Sequence, residues 1–243
     1  MGKREYHIGV KPGEVAGCVL LPGDPARTEL IANRFDFAKE IAHNREFRTF
    51  TGKVDGIPIS VTSTGIGGPS AAIAVEELAK CGADTFIRVG TSGAVSKNVR
   101  LGDIVIANSA VREDGTSRQY VPLSYPAVAD LDVTNALVEA AQMLGASYHV
   151  GPVVSKDAFY SEVPNRTPLA RESAELWKVW RRARVLATEM ECATIYTLCD
   201  INGWRGGGVL ACVGPMGKIV DSSAGVEKAI DAAIGAVKIL AKR

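Results

Sequence analysis

Apolar residues recur along this chain at two periods, and their alternation lays out a succession of strands and helices. Residues 15–21 form a short apolar run that stops at Pro22-Gly23-Asp24-Pro25, and residues 26–34 continue as a helix. Two β-rich runs, 47–54 and 57–64, flank Asp55-Gly56, a dipeptide suited to a two-residue hairpin. Pro69 suits a first helical position, and Ala74, Leu78 and Cys81 follow at helical spacing up to Gly82. Residues 85–89 read as a buried strand that breaks at once into a glycine-rich turn, Gly90-Thr91-Ser92-Gly93. Further strands are expected over 103–107, 147–154, 185–188 and 206–213. Val133, Leu137, Ala140 and Leu144 mark one helix face, residues 192–198 read as another helix, and Val226, Ile230, Ala233, Val237 and Leu240 stripe a C-terminal one. This is the pattern of an α/β chain. Its 243 residues, 47% of them hydrophobic, are enough for one domain spanning 1–243 with a full core.

Candidate chemistry gathers where strands end. Arg88 closes an apolar strand, and ligands in open parallel sheets lie beyond the strands' carboxyl ends, where its fork of donors suits an oxyanion. An arginine snorkelling from a strand end into water is the other reading. Gly23 permits close backbone approach, a helix start after Pro25 supplies free N–H groups, and Arg27 lies in the first turn, which together make a second anion corner. Alternatively, Pro-Gly-Asp-Pro is a turn with Asp24 as helix cap. Glu189 and Glu191 flank Met190 ahead of a helix. They are expected to point to different sides, one to a pocket and one to the interior, unless they simply serve the helix N-terminus. The stretch Ser155-Lys156-Asp157-Ala158-Phe159-Tyr160 with the proline-interrupted loop to Pro168 is too long and irregular for a simple connector and has the character of a lid or binding loop. Trp177 and Trp180 with Arg181 and Arg182 read as a helix with one solvated basic face.

Charge narrows the function. Lys plus Arg total 28 against 27 Asp plus Glu, so no long-range field draws nucleic acid or a membrane surface, and any anion site is local. The segment Met1–Tyr6 is charged and lacks a signal core, no apolar run approaches a membrane span, and a cytoplasmic location is expected. Five cysteines without CxxC spacing read as buried free thiols. The Gly65-Ile66-Gly67-Gly68-Pro69 stretch lacks the offsets and ribose-binding acid of a dinucleotide fingerprint, so NAD is set aside.

Taken in order, LPGDPAR, HNREF, STGIGGPSAAIAVEEL (63–78), RVGTSGA, SKDAFY and EMECAT resemble the nucleoside phosphorylase family, most closely its uridine-cleaving branch, over nearly the whole chain. The resemblance implies a mixed central sheet partly closed into a barrel and flanked by helices, assembled as dimers and commonly hexamers. It implies reversible cleavage of a nucleoside by inorganic phosphate, with phosphate as co-substrate and no organic cofactor. By similarity, Gly23, Arg27, Arg88 and Thr91 bind phosphate, with Arg45 supplied by a neighbouring subunit. Thr91, Met190 and Glu191 meet the ribose, together with His7 of the neighbour, which as a lone tail histidine would otherwise be solvated. Ser92, Gly93, Phe159, Glu162, Arg166 and Glu189 line the base site, and Arg88, Glu191 and Arg166 carry catalysis. A potassium ion at the dimer interface near Glu46, Ile66 and Ser70 is also implied; Glu46 pairing with an arginine is the structural alternative.

Two departures bear on the base. A glutamate, Glu162, stands where the family pattern has a glutamine; it either accepts from a ring N–H or points to solvent, and Arg166 keeps the donor role. The stretch Ala211-Cys212-Val213-Gly214-Pro215-Met216 lacks the aspartate of purine-cleaving relatives, and Asp221 lies well beyond the strand end. Uridine is therefore the expected substrate. A purine nucleoside phosphorylase with an atypical base site is the nearest rival, ahead of a water-using nucleosidase and of a non-catalytic nucleoside-binding protein.

Overall fold

In the computed structural model, which describes residues 3–243, ten strands form one mixed sheet, and seven helices cover it. The first two residues of the Met1–Tyr6 segment lie outside that range. The strands are β1 (Cys18–Leu21), β2 (Phe37–Asn44), β3 (Phe47–Val54), β4 (Ile57–Thr62), β5 (Thr85–Ala94), β6 (Ile104–Glu113), β7 (Ala127–Val128), β8 (Tyr148–Lys156), β9 (Ala187–Glu189) and β10 (Arg205–Pro215). The helices are α1 (Pro25–Ala32), α2 (Gly68–Lys80), α3 (Ser117–Tyr120), α4 (Leu131–Met143), α5 (Ala170–Arg182), α6 (Cys192–Asn202) and α7 (Val226–Leu240).

The strand order is β10-β6-β8-β9-β5-β1-β4-β3-β2, and β10 also pairs in parallel with β5. That second pairing closes β10, β6, β8, β9 and β5 into a five-stranded barrel, with β1, β4, β3 and β2 extending from it as an open wing. Apolar helix faces cover the two sides. Ala74, Val75 and Leu78 of α2 and Ile195, Tyr196 and Leu198 of α6 belong to one core. Ile31 of α1, Val133 and Leu137 of α4, and Ile230, Ala233 and Val237 of α7 belong to the other. Burial of such side chains, worth about 1.5–3 kcal/mol each, is what holds amphipathic helices on a sheet. Asp55 (φ 50°) and Gly56 (φ 77°) make the expected tight turn between β3 and β4.

The structure corrects several expected boundaries. β5 does not break after Val89. It runs on through Gly90 and Gly93 to Ala94, paired with β10 from Thr85↔Arg205 to Ala94↔Pro215. Neither glycine has a positive φ, so their service is space: a Cβ on Gly90 would lie 2.8 Å from Leu210 Cδ2 and 2.9 Å from Arg88 Nη2. Strands β6, β8 and β10 likewise outrun their apolar cores, because pairing with their neighbours carries the ladder on through Glu113↔Lys156 and Pro215↔Ala94. β2, unannounced by any apolar run, forms the outer edge of the wing against β3. Of the irregular stretch, Ser155 and Lys156 belong to β8 and Phe159–Glu162 form a 3₁₀ turn, and α5 then buries Trp177 while Arg181 and Arg182 remain exposed.

Candidate active site

Strand register brings the two expected anion corners together. Leu21 of β1 lies beside Arg88 of β5, so the loop after β1 opens next to the guanidinium. That loop is also tied to the one after β4: Thr64 N–H donates to Pro22 O at 2.8 Å and Gly65 N–H to Gly23 O at 3.0 Å. Gly23 leaves room there, since a Cβ would sit a tight 3.2 Å from Gly65 O. Asp24 caps α1 by accepting from Ala26 N–H at 2.8 Å, so the turn-and-cap reading and the corner coexist. Gly23, Arg27, Arg88 and Thr91 all line one cleft of about 970 Å³.

The carboxylates are arranged differently from expectation. Glu189 and Glu191 do not point to opposite sides; both converge on Arg88. Glu189 Oε2 accepts from Arg88 Nε at 3.1 Å, and Glu191 pairs with Arg88 Nη2. Glu189 also accepts from Glu191 N–H at 2.8 Å, from Cys192 N–H at 3.0 Å and from the Ser155 hydroxyl, so it caps α6 and has its acceptor capacity filled. Although it borders the cleft, Glu189 is therefore a support for Arg88 rather than a free contact for a base. Glu191 accepts from Gly67 N–H at 2.6 Å, at the start of α2.

The electrostatics follow from this burial. Burial opposes the charge of Arg88, but Glu191 and Glu189 more than offset it and push its pKa up, so the guanidinium stays cationic. Burial pushes the Glu191 carboxyl up, Arg88 pulls it back, Glu189 pushes it up again, and the net shift is upward. Burial and then the charge of Arg88 press the Arg27 pKa down, against the pull of Asp24. Among the described residues no carboxylate lies within 4.0 Å of the Arg27 guanidinium, and Arg88 Nη1 is buried without a hydrogen-bond partner. Two arginines that repel one another, one with an unused buried donor, form a site that an anion would relieve.

The other end of the cleft is aromatic and apolar, with Phe159, Tyr160, Val213, Pro215 and Ile219 in its wall. Ser92, Gly93 and Met190 also line the cleft. Glu162 does not point to solvent: it is buried, pairs with Lys156 Nζ at 2.7 Å, and accepts from the Thr188 hydroxyl at 2.7 Å and Gly217 N–H at 3.1 Å. Arg166 is exposed, lies over the Tyr160 ring at 5.6 Å and is not part of the cleft wall. Lys156 and Thr188 belong to that wall and were not singled out by sequence reasoning. Their signal was the polar tail of an apolar strand, the same feature that marked Arg88. Asp221 is exposed, accepts from Ser223 N–H and hydroxyl at 2.9 and 2.6 Å, and stands outside the cleft.

Glu46, Ile66 and Ser70 border the cleft too, and no arginine pairs with Glu46 among the described residues. Ile66 is 79% exposed, and the Ser70 hydroxyl donates to Ile66 O at 3.2 Å. His7 and Arg45 stand apart from the cleft of their own chain. His7 Nδ1 lies 2.6 Å from Glu77 Oε1, and Arg45 (φ 55°) covers Tyr6 at 5.7 Å.

The model of the phosphorylase superfamily matches residues 18–242. A uridine phosphorylase of Thermococcus kodakarensis is 53% identical over 98% of this chain and 87% of its own length. One from Treponema pallidum is 43% identical over 97% and 94%. A guanosine phosphorylase of Halorubrum lacusprofundi is 42% identical over 85% and 81%.

Proposed function

This chain belongs to the phosphorylase superfamily, and from that premise we propose that it is a uridine phosphorylase, a pentosyltransferase that converts uridine and phosphate reversibly to uracil and ribose 1-phosphate. Phosphate is its co-substrate and it uses no organic cofactor. The observation that carries the reading is the cleft itself, whose wall brings Arg27 and Arg88, with its unused Nη1, together with Met190 and Glu191. Phosphate sits against Gly23, Arg27, Arg88 and Thr91. The ribose lies over Met190, and the Glu191 carboxylate accepts from its hydroxyls. As the C1′–N1 bond breaks, the sugar gains oxocarbenium character between the phosphate and the departing base, and the neighbouring anions stabilise it.

The roles of Arg45 and His7 are those of a neighbouring subunit, which fits their standing outside the wall of their own cleft. The assembly is a dimer or a hexamer, and a potassium ion near Glu46, Ile66 and Ser70 belongs to the dimer interface. Five free cysteines, four of them buried, suit the reducing cytoplasm.

Guanosine cleavage is the second reading, favoured by the Halorubrum relative. Against it, Asp221 is turned to solvent, away from any purine N7 in the cleft. Base release from uridine, inosine and guanosine, each with and without phosphate, tests both. The expected result is phosphate-dependent uracil release with little purine release. Purine release in its place overturns the base assignment, and release without phosphate overturns the phosphorylase reading.

A further inference from the structure

At the aromatic end of the cleft, Lys156 has no place in the roles assigned so far, and its partner Glu162 is held by protein groups. Lys156 ends β8 with its ammonium buried, 2.7 Å from Glu162 Oε1 and 3.1 Å from the Thr188 hydroxyl, and 5.7 Å from the Phe159 ring centre. Glu162 spends its remaining acceptor capacity on Thr188 and on Gly217 N–H. A buried ion pair is a poor stabiliser compared with apolar side chains of the same size, so stability alone does not account for it. Two of the three ammonium N–H bonds are committed, and one is left in a wall shared with the aromatic side chains.

Resting on the uridine reading above, we propose that Lys156 is a catalytic residue that donates to a carbonyl oxygen of the departing uracil, and that Glu162 is its positioning residue. When C1′–N1 breaks, its electron pair leaves with the base and spreads from N1 onto O2 and O4. A fixed ammonium in a water-poor wall stabilises that developing charge without reorganising. Lys156 keeps its proton. Hydrogen phosphate forms the new bond to C1′, and the proton lost as its ester ionises balances the one taken up by the uracil anion. This arrangement also accounts for a glutamate at position 162. Its carboxylate holds a cation in place, and Arg166, out over Tyr160, is not required as the donor.

The test compares leaving groups. Uracil carrying a 5-fluoro substituent is more acidic and leaves with less help, so 5-fluorouridine needs Lys156 less than uridine does. Lys156→Met is expected to lower kcat/KM for uridine about 100-fold, the scale of one lost oxyanion donor, and to lower it severalfold less for 5-fluorouridine. Both substrates are assayed on one preparation, so any loss of folded protein cancels in the ratio. The double variant Lys156→Met with Glu162→Gln leaves no buried charge unpaired and carries the same expectation if the single variant folds poorly. Equal losses for the two substrates overturn the role of Lys156 while the uridine reading stands. Failure of the unaltered chain to release either pyrimidine with phosphate removes the reading, and the proposal with it.

Discussion

Arg88 has three guanidinium nitrogens, and its neighbours use two. Glu189 takes Nε and Glu191 takes Nη2, which aligns the fork and leaves Nη1 buried without a partner. A lysine would keep the charge and lose the fork. Arg88→Lys is thus expected to raise the KM for phosphate at least about tenfold, equivalent to about 1.4 kcal/mol, with a smaller change in the KM for uridine. Initial rates against phosphate concentration measure it, and an unchanged phosphate KM would count against the fork. Glu189 serves Arg88 and the N-terminus of α6 at once, so Glu189→Ala leaves a buried guanidinium short of a partner and strips a helix cap. Its cost in urea unfolding is expected at about 3–5 kcal/mol. Breaking the exposed pair between Lys178 and Glu175 should cost at most about 0.5 kcal/mol.

Strand β5 connects sequence to site most directly. Its apolar core was legible in the chain because Phe86, Ile87 and Val89 cannot be solvated together, whereas its continuation was not, because two glycines beside polar residues are also the marks of a turn. What decided the matter was β10, whose partnering lies in tertiary structure. Gly90 is fixed by neighbours rather than by φ, so Gly90→Ala is expected to press on Leu210 and on the Arg88 guanidinium, costing about 1–3 kcal/mol in unfolding and lowering kcat/KM beyond what the lost folded fraction explains. The start of β6 offers a pH test. Asp103 lies 3.0 Å from His149 Nε2 on β8 and accepts from Arg100 N–H at 2.9 Å. Burial pushes its carboxyl up, but the bonds from His149, Arg100 and Ser147 outweigh it and hold the group below the usual range. The unfolded chain therefore takes up this proton first as pH falls, so the contribution is complete above about pH 4 and is lost as pH drops through the lowered value. Asp103→Asn should flatten the acid limb of stability against pH, as followed by urea midpoints; an unchanged limb would remove this pair from the acid response.

At the scale of the molecule, the cleft exists because the barrel closes, and closure was legible only through the resemblance of the ordered motifs, not through periodicity. The helices and the arginine-bearing strand ends could be read from periodicity, since each local pattern answers to burial. The convergence of Glu189 and Glu191 on Arg88 could not, because it depends on β9 lying between β8 and β5. Lys156 was hidden for a related reason: Thr188 lies across the sheet, 32 residues on, and Glu162 reaches the ammonium only because the chain turns back through Phe159–Glu162. His7 and Arg45 extend the argument beyond one chain. If each cleft is completed by a neighbour, an Arg45→Ala subunit retains a sound Arg88, and an Arg88→Ala subunit can lend its Arg45 in return. Each variant alone is expected to be nearly inactive. Random pairing of the two makes about half the dimers hybrids, each with one restored cleft out of two, so about a quarter of the unaltered rate should return on mixing or coexpression. Activity that stays at the level of the separate variants, with hybrids shown to have formed, would mean that Arg45 acts within its own chain or not at all.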